Sequence, residues 1–395
     1  MKSNTLGKYI ERFDRRNSEN EFGLEDVRGI SNTKEIMTDS RANLIGRDFS
    51  KLTILKDKEF IFNRRTSRNG ERISLGYNNL GYDFIITEDY VPFRIKEEYK
   101  KDLLSDYLYL FFLNPEFDRY ARFNSWGSAT EFFNWEDMCN VPFELPDISV
   151  QKQIISQYKD ISEQITSLEN LNDSLVKLLD NIYNDYFSTN KRVLASYMNG
   201  TFEENMIDEE WKIDEAQKFF KITIGKTPPR EIEEYFTENP NDIKWISIAD
   251  MKTTSPYVFD SSEYLTEEAV KDCNVKLVNK GAILVSFKLT VGRVAIVDET
   301  LTTNEAIARF EGNEKSKYYT YLLLRNYDYQ LLGSTSSIST AVNSKIIKAM
   351  PFILPDDETL DDFNSIVSDI FDELYIVKKG IDGLKKLRKI IASEV

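Results

Sequence analysis

The chain has 395 residues, a net charge of −15 and no histidine, and its length predicts more than one domain. Without histidine, triads with a histidine base, histidine-ligated metals and histidine acid–base catalysis are excluded. The two cysteines, Cys139 and Cys273, form no Cys-x-x-Cys pair, which argues against a zinc site or a disulfide framework. The first residues are charged and the longest apolar runs are far shorter than a membrane span, so we expect a cytoplasmic protein without a membrane partner.

In the first part of the chain, a predicted strand at 60–62 leads into a segment rich in arginine. Four arginines lie within nine residues, from Arg64 to Arg72, and alternate with short hydrogen-bonding side chains. Arginine matches guanine and phosphate, and asparagine matches adenine, so the segment favours contact with DNA. A solvated basic turn is an equally good interpretation of this composition. The candidate DNA-binding residues here are Asn63, Arg64, Arg65, Thr66, Ser67, Arg68, Asn69 and Arg72.

Aromatic residues mark a predicted helix near residues 107–111 and a second one near 319–323. These aromatic stripes favour a buried core over a platform that stacks on bases. A Gly-Ser segment follows each helix, at 127–130 and at 333–337, and its backbone and hydroxyl groups are suited to contacts with phosphate or bases. The candidates in these segments are Ser128, Thr130, Ser334 and Ser336.

A seven-residue sequence, Val-Pro-Phe-Glu-Leu-Pro-Asp at 141–147, returns as Met-Pro-Phe-Ile-Leu-Pro-Asp at 350–356, an offset of 209 (350 − 141). Apolar residues spaced by three and four follow each copy over about four heptads, which is typical of a coiled coil. Asn172 interrupts the first stripe, where the second has Ile381. The chain is therefore predicted to be a tandem duplication whose two long helices bury their stripes on each other. The predicted coiled-coil interface consists of Ile154, Ile161, Ile165, Leu168, Leu175, Leu179, Ile182, Phe363, Val367, Ile370, Leu374, Val377, Leu384 and Ile391.

The second part contains a predicted hairpin, with strands at 281–287 and 294–297 and a polar turn between them. Farther upstream, Gly225-Lys226-Thr227 is not a phosphate loop, because Phe220 stands where that motif needs its first glycine and Pro228-Pro229 interrupts the helix that should follow. Close acidic pairs are expected by chance among 66 acidic residues. We therefore predict neither a catalytic residue nor a metal site.

The order of these elements resembles the specificity subunit of type I restriction-modification systems. A globular part, Pro-Phe-x-Leu-Pro and a long helix are followed by a second part that starts at Trp211, a second Pro-Phe-x-Leu-Pro and a second long helix. The resemblance covers essentially the whole chain. The first helix begins with Gln151-Lys152-Gln153-Ile154, whereas the second, at 359–363, lacks the family's usual glutamine.

The two globular parts resemble different classes of target-recognition domain. Residues 63–71 are similar to one class, and the second part matches another at 225–228, Trp245-Ile246, Asp250, 282–286, Gly292-Arg293 and 303–306. By this resemblance, the candidate DNA-binding residues of the second part are Lys226, Thr227, Ser286, Lys288, Thr290, Arg293, Thr303 and Asn304.

The family implies an α+β fold with two tandem target-recognition domains, separated by two long conserved helices that pair as an antiparallel coiled coil with pseudo-twofold symmetry. The corresponding boundaries are 1–148 for the first target-recognition domain, 149–189 for the first helix, 190–210 for a polar linker, 211–355 for the second domain and 356–395 for the second helix.

The resemblance also implies a non-catalytic subunit that binds a bipartite, asymmetric double-stranded DNA target and assembles two modification subunits and the restriction subunits. S-adenosylmethionine, ATP and Mg²⁺ would be bound by those partners and not by this chain. The net charge favours an alternative, a coiled-coil scaffold that binds only proteins. However, residues 1–150 carry 22 basic and 26 acidic residues and residues 211–355 carry 18 and 19, so the negative charge is concentrated in the helices and the linker.

Overall fold

The computed structural model describes residues 4–31, 34–37, 44, 46–65, 72–127, 131–332 and 342–395. The chain divides into two compact units, one formed by Met1–Gln164 with Leu384–Val395 and the other by Ile165–Gly383. The α+β class and the two long helices predicted from the sequence are confirmed. The domain boundaries predicted above remain a prediction.

In the first unit, an antiparallel sheet has the strand order β1–β8–β5–β6 among the described residues, and β2–β3 and β4–β7 form separate pairs. The strands are β1 (Ile10–Arg12), β2 (Gly29–Ile30), β3 (Ile36–Met37), β4 (Thr53–Leu55), β5 (Phe60–Asn63), β6 (Leu75–Tyr77), β7 (Phe84–Ile86) and β8 (Tyr90–Ile95). The helices are α1 (Ser105–Leu113), α2 (Pro115–Phe123), α3 (Trp135–Cys139) and the first part of α4 (Ile148–Tyr186). Alternate residues of the sheet, including Phe60 and Phe93, pack on Phe112 of α1 in an aromatic core.

The second unit contains a five-stranded sheet of order β10–β18–β15–β16–β13 and a smaller sheet of order β11–β14–β12–β17, again among the described residues. Its strands are β9 (Lys212–Glu215), β10 (Lys221–Ile224), β11 (Phe236–Thr237), β12 (Ile243–Ile246), β13 (Tyr257–Val258), β14 (Tyr264–Leu265), β15 (Ile283–Ser286), β16 (Val294–Val297), β17 (Thr302–Thr303), β18 (Ile307–Glu311) and β19 (Pro351–Leu354). Its helices are α5 (Asn190–Met198), α6 (Ala216–Phe219), α7 (Glu267–Asp272), α8 (Lys317–Arg325), α9 (Ser344–Ala349) and most of α10 (Asp357–Ser393).

The tandem duplication is visible in the strand pairing. The orders β1–β8–β5–β6 and β10–β18–β15–β16 are equivalent, and all the pairs within them are antiparallel. Each unit also closes its ends in the same way. The amide of Leu6 donates to Val141 O at 2.9 Å, and that of Ala216 donates to Met350 O at 2.8 Å. The repeated Pro-Phe-x-Leu-Pro sequence therefore ends each globular part by pairing with its beginning.

The two long helices run antiparallel within each unit. In the second unit, the Tyr186 ring lies 5.5 Å from the Phe363 ring, and Leu168 lies beside Gly380. In the first unit, the Arg388 guanidinium lies 5.8 Å above the Tyr158 ring.

The buried stripe of these helices departs from the predicted heptad spacing. The predicted positions that are buried are Ile161, Ile165, Leu179, Phe363, Val367, Leu374 and Val377, whereas Ile154, Leu168, Leu175, Ile182, Ile370, Leu384 and Ile391 are only partly buried. After the buried Asn172, the stripe continues through Val176 and Tyr183, and in α10 Phe371 and Ile381 are buried. A straight helix drifts by about 20° per heptad relative to a 3.5-residue repeat, so the buried side moves along the helix.

The segment predicted as a polar linker is partly helical. Helix α5 buries Val193 and Leu194, and the side-chain Nδ2 of Asn190 donates to Tyr319 Oη of α8 at 3.0 Å. Short apolar stretches inside a polar segment carry too little periodicity to predict a helix, and here tertiary packing stabilises it.

Candidate nucleic-acid interface

The arginine-rich segment and the polar turn of the second part occupy the same position in the two sheets. The first connects β5 to β6, and the second connects β15 to β16. Because neighbouring strands are antiparallel, this hairpin tip lies at the same end of its sheet as the loop after the first strand and the segment before the last one. Each unit therefore gathers three loops at one end of its sheet.

In the second unit, these loops contribute Lys226 and Thr227 after β10, Lys288 at the hairpin tip, and Asn304 and Glu305 before β18. The amide of Lys226 donates to Thr303 O at 2.9 Å. The Thr227 hydroxyl donates to the Glu305 carboxylate, which joins residues 78 positions apart.

A glycine is required where the first loop meets the third. A Cβ on Gly225 would lie 1.9 Å from Asn304 O and 2.3 Å from Thr303 Oγ1. Only a residue without a side chain permits this approach of two backbones. The Gly-Lys-Thr sequence therefore brings Lys226 and Thr227 against the segment that precedes β18.

Cations surround Glu305 in this group of loops. Burial of its carboxyl raises the pKa of Glu305, but the hydrogen bond from Thr227 and the charges of Lys288 and Arg230 lower it by more, so the pKa lies below its usual value. The guanidinium of Arg230 forms a two-bond ion pair with Glu263 and lies 4.9 Å from the Trp245 ring. The arrangement is an exposed group of cations around one ionised acceptor, which is the chemistry needed to contact phosphates and base edges.

Of the predicted DNA-binding residues of this unit, two have side chains bonded within the unit and a third is buried. Ser286 is fully buried, and its hydroxyl donates to Thr290 O at 2.6 Å and accepts from the amide of Arg293 at 2.9 Å. The Arg293 side chain donates to Ile248 O at 2.5 Å, and Thr303 is fully buried. The bonds of Ser286 and Arg293 hold the loop, and short hydroxyl side chains serve tight turns as readily as ligands. Direct contact of these three residues with DNA stays a prediction.

In the first unit, the equivalent end of the sheet forms a cavity of about 390 Å³, lined by Arg12, Asn63, Arg64, Arg65, Glu88, Asp89, Tyr90, Val91, Phe132, Asn134, Trp135 and Glu136. Arg64, Arg65 and Arg72 are exposed. Phe132 pairs with both Arg65 and Trp126, and the Trp126 side chain is 74% exposed. The remaining candidates, Thr66, Ser67, Arg68, Asn69, Ser128, Thr130, Ser334 and Ser336, lie outside the described residues.

A buried ion pair holds the end of the arginine-rich segment. Lys34 is 3% exposed, and its ammonium lies 2.8 Å from the Asp118 carboxylate and donates to Phe112 O at 2.5 Å. The same carboxylate accepts from the amide of Ile73 at 3.0 Å. Burial lowers the pKa of Lys34, although Asp118 opposes this effect. The ion pair therefore holds the backbone at Ile73, directly after Arg72, against the core.

The sequence alone does not single out Glu305, Arg230 or the exposed Trp126. Glu88 and Glu305 both stand two residues before equivalent strands, but their offset of 217 (305 − 88) differs from the repeat offset of 209. A comparison at constant offset therefore does not align them, whereas the strand pairing does.

Within the described residues, no group of three or more Cys, Asp or Glu side chains is placed to hold a metal ion. The helices in the described part of the chain include none that is both long and apolar enough to cross a membrane.

Comparisons with known proteins identify the second part of the chain. The family model of the type I restriction modification DNA specificity domain matches residues 208–386. The type I restriction enzyme MjaIX specificity subunit of Methanocaldococcus jannaschii is 28% identical over 178 residues, which are 44% of this chain. The match spans only 40% of the length of that relative.

Two solved structures are similar over nearly the whole chain. The S subunit of a type I restriction-modification system from M. genitalium has a TM-score of 0.51 and 13% identity, covering 98% of this chain and 94% of that one. The HsdS subunit from Thermoanaerobacter tengcongensis has a TM-score of 0.38 and 14% identity over the same shares of the two chains. Residues 208–386 therefore match the type I restriction modification DNA specificity domain, and the resemblance of the chain to specificity subunits of type I restriction-modification systems is confirmed.

Proposed function

We propose that this chain is the DNA sequence-recognition subunit of a type I restriction-modification complex. It binds a bipartite, asymmetric double-stranded DNA target, one half-site for each target-recognition domain, and it assembles two modification subunits and the restriction subunits on that target. The observation that carries the proposal is the position of Lys288 and Arg230 around Glu305, which bonds to Thr227, at one end of the second sheet inside the matched DNA specificity domain, with the exposed Lys226 in the same loop as Thr227.

Exposed apolar residues on the long helices support the assembly role. In the second unit, Leu178 is 45% exposed and Ile376 is 62% exposed, and in the first unit Ile390 is 53% exposed. These side chains lie off the buried stripe, and a partner that covers them would remove their apolar surface from water. We infer that modification subunits cover them, one for each copy of the duplicated element.

The proposed role of this chain is binding and not catalysis. S-adenosylmethionine would be bound by the modification subunits, and ATP and Mg²⁺ by the restriction subunits. What this chain supplies is the choice of sequence, through cations that hold phosphates and polar groups that read base edges.

The test measures DNA binding as a function of salt. Duplex DNA that carries the sequence methylated by the complex is titrated with the full chain in complex with its modification subunits. Removal of one phosphate contact by Lys226→Ala or Lys288→Ala is expected to reduce the salt slope of binding by about 1. Lys218→Ala is the matched control, because Lys218 is an exposed lysine at the opposite end of β10.

The same titration covers the first domain, where Arg64→Ala or Arg65→Ala is expected to cost about 1–3 kcal/mol if the arginine reads a base. Unchanged affinity and salt slope in all four variants would contradict the proposal. It would favour the coiled-coil scaffold that binds only proteins, which the exposed apolar side chains of the helices also suit.

A further inference from the structure

The tip of the β15–β16 hairpin carries a fully solvated leucine in a strained conformation. Leu289 is 100% exposed, and its φ is +57°. The other described non-glycine residues with positive φ are asparagines and lysines. A branched apolar side chain is disfavoured in this left-handed region, so Leu289 stabilises neither its own turn nor the core.

The framework of the tip holds this conformation in place. The amide of Gly292 donates to Ser286 O at 2.9 Å, and the Ser286 hydroxyl closes the turn on Thr290 O at 2.6 Å. Gly292 has a φ of +90° and lies against the Tyr329 ring, where an added Cβ would approach to 3.0 Å. The turn is therefore held by its contacts with Ser286 and Tyr329, while the Leu289 side chain is exposed to solvent. A strained residue in a well-supported turn is a sign of function.

The charges around Leu289 favour a polyanionic partner. The exposed Lys288 directly precedes it, and residues 286–297 contain no acidic side chain. Lys226 and Arg230 lie in the neighbouring loop of the same group. An apolar tip between cations suits duplex DNA, in which phosphates attract the cations and the stacked bases accept an apolar side chain.

We propose that Leu289 inserts between adjacent base pairs of the DNA target and partly unstacks them. The inference rests on the proposed function and adds a component of sequence choice that needs no hydrogen bond to a base. Pyrimidine–purine steps unstack most easily, so the second domain should favour such a step at the position of the tip. No bond is made or broken in this event.

The experiment uses the full chain with its modification subunits and duplexes of the methylated sequence in which 2-aminopurine replaces one adenine at a time. The fluorescence of 2-aminopurine increases when this base is unstacked, and this increase is called brightening below. The wild-type protein is expected to brighten it at one step of the second half-site. Leu289→Asn is expected to lose the brightening and the preference for that step. Its melting temperature should not fall, because asparagine tolerates the left-handed conformation.

Leu277→Asn is the matched control, because Leu277 is 50% exposed in the same unit but lies outside the three loops. Equal brightening by wild type, Leu289→Asn and Leu289→Ala would overturn the inference and leave the proposed function intact. Leu289→Asn that keeps the brightening but no longer co-purifies with modification subunits would also overturn it, and would assign the tip to a protein contact. Absence of DNA binding by the wild-type complex would instead contradict the proposed function.

Discussion

At the residue scale, one buried arginine connects two segments next to the candidate loops of the second unit. Arg309 of β18 is 1% exposed, and its guanidinium donates to Ile224 O at 2.6 Å and to Lys276 O at 2.7 Å. Burial of a charge is costly unless the charge is hydrogen-bonded, and these two bonds offset part of that cost, although Nε of Arg309 has no partner. These two carbonyl groups give Arg309 a positioning role, because Ile224 is the last residue before the Gly225–Thr227 segment.

The close approach at Gly225 makes a testable prediction about stability. Gly225→Ala places a Cβ 1.9 Å from a backbone oxygen, so the backbone must move. We expect the free energy of unfolding to fall by about 1–3 kcal/mol, as for other overpacked sites, and DNA affinity to fall with it. Urea unfolding and the salt titration described above measure the two effects.

Gly383→Ala is the control for this change. Gly383 lies within α10, and an added Cβ there would have no heavy atom within 4 Å. Because alanine is favoured over glycine inside helices by about 1 kcal/mol, the control should stabilise the protein. Equal effects of the two substitutions would show that the approach at Gly225 is not tight.

At the scale of elements, the two long helices begin differently although they are repeats. Gln151 is fully buried in the first unit, where its amide donates to Asp102 O at 2.7 Å and accepts from the Leu104 amide at 2.9 Å. At the offset of 209 the second unit has Leu360, which is buried in an apolar cluster. At the start of the second helix, Leu360 therefore replaces the hydrogen bonds of the glutamine with apolar packing. Burial is retained in both cases.

The course of the buried stripe through α10 can be tested by truncation. Phe371 is fully buried and its ring stacks on Tyr318 at 4.1 Å, whereas the neighbouring Ile370 is only partly buried. We expect Phe371→Ala to cost about 3–5 kcal/mol and Ile370→Ala to cost clearly less. Ile376→Ala, on the exposed side, should change stability by no more than about 0.5 kcal/mol. A larger loss of stability for Ile370→Ala than for Phe371→Ala would contradict this course of the stripe and favour the strict heptad spacing.

At the scale of the whole molecule, the duplication produces two modules that each close on themselves. The hydrogen bonds from Leu6 to Val141 and from Ala216 to Met350 join the beginning of each globular part to its end. A module whose ends meet can be replaced without rearranging what surrounds it.

This closure predicts that residues 211–350 can be exchanged for the second target-recognition domain of a relative. In complex with its modification subunits, such a hybrid should direct methylation to a target with a new second half-site and an unchanged first half-site, because each set of loops is proposed to read its own bases. Methylation mapping of cells that express the hybrid is the measurement. A change in both half-sites would contradict independent reading by the two domains.

Much of the fold and part of the site were predictable from local pattern. The apolar spacing predicted two long helices, and the alternation around 281–297 predicted the β15–β16 hairpin, because both signals come from residues a few positions apart. The exposed Arg64 and Lys288 were predictable for the same reason, as cations in polar turns.

The sequence by itself determined the duplication and the long helices, since repeats and periodicity are properties of the chain, and the α+β class followed from the family resemblance. Only the tertiary structure decided that the arginine-rich segment and the Lys288 tip are the same loop of a repeated sheet, that Glu305 bonds to Thr227, and that Phe371 is buried in place of Ile370. The physical reason is sequence separation. Strand pairing and side-chain burial join residues tens of positions apart, and no local pattern records which distant partner each residue meets.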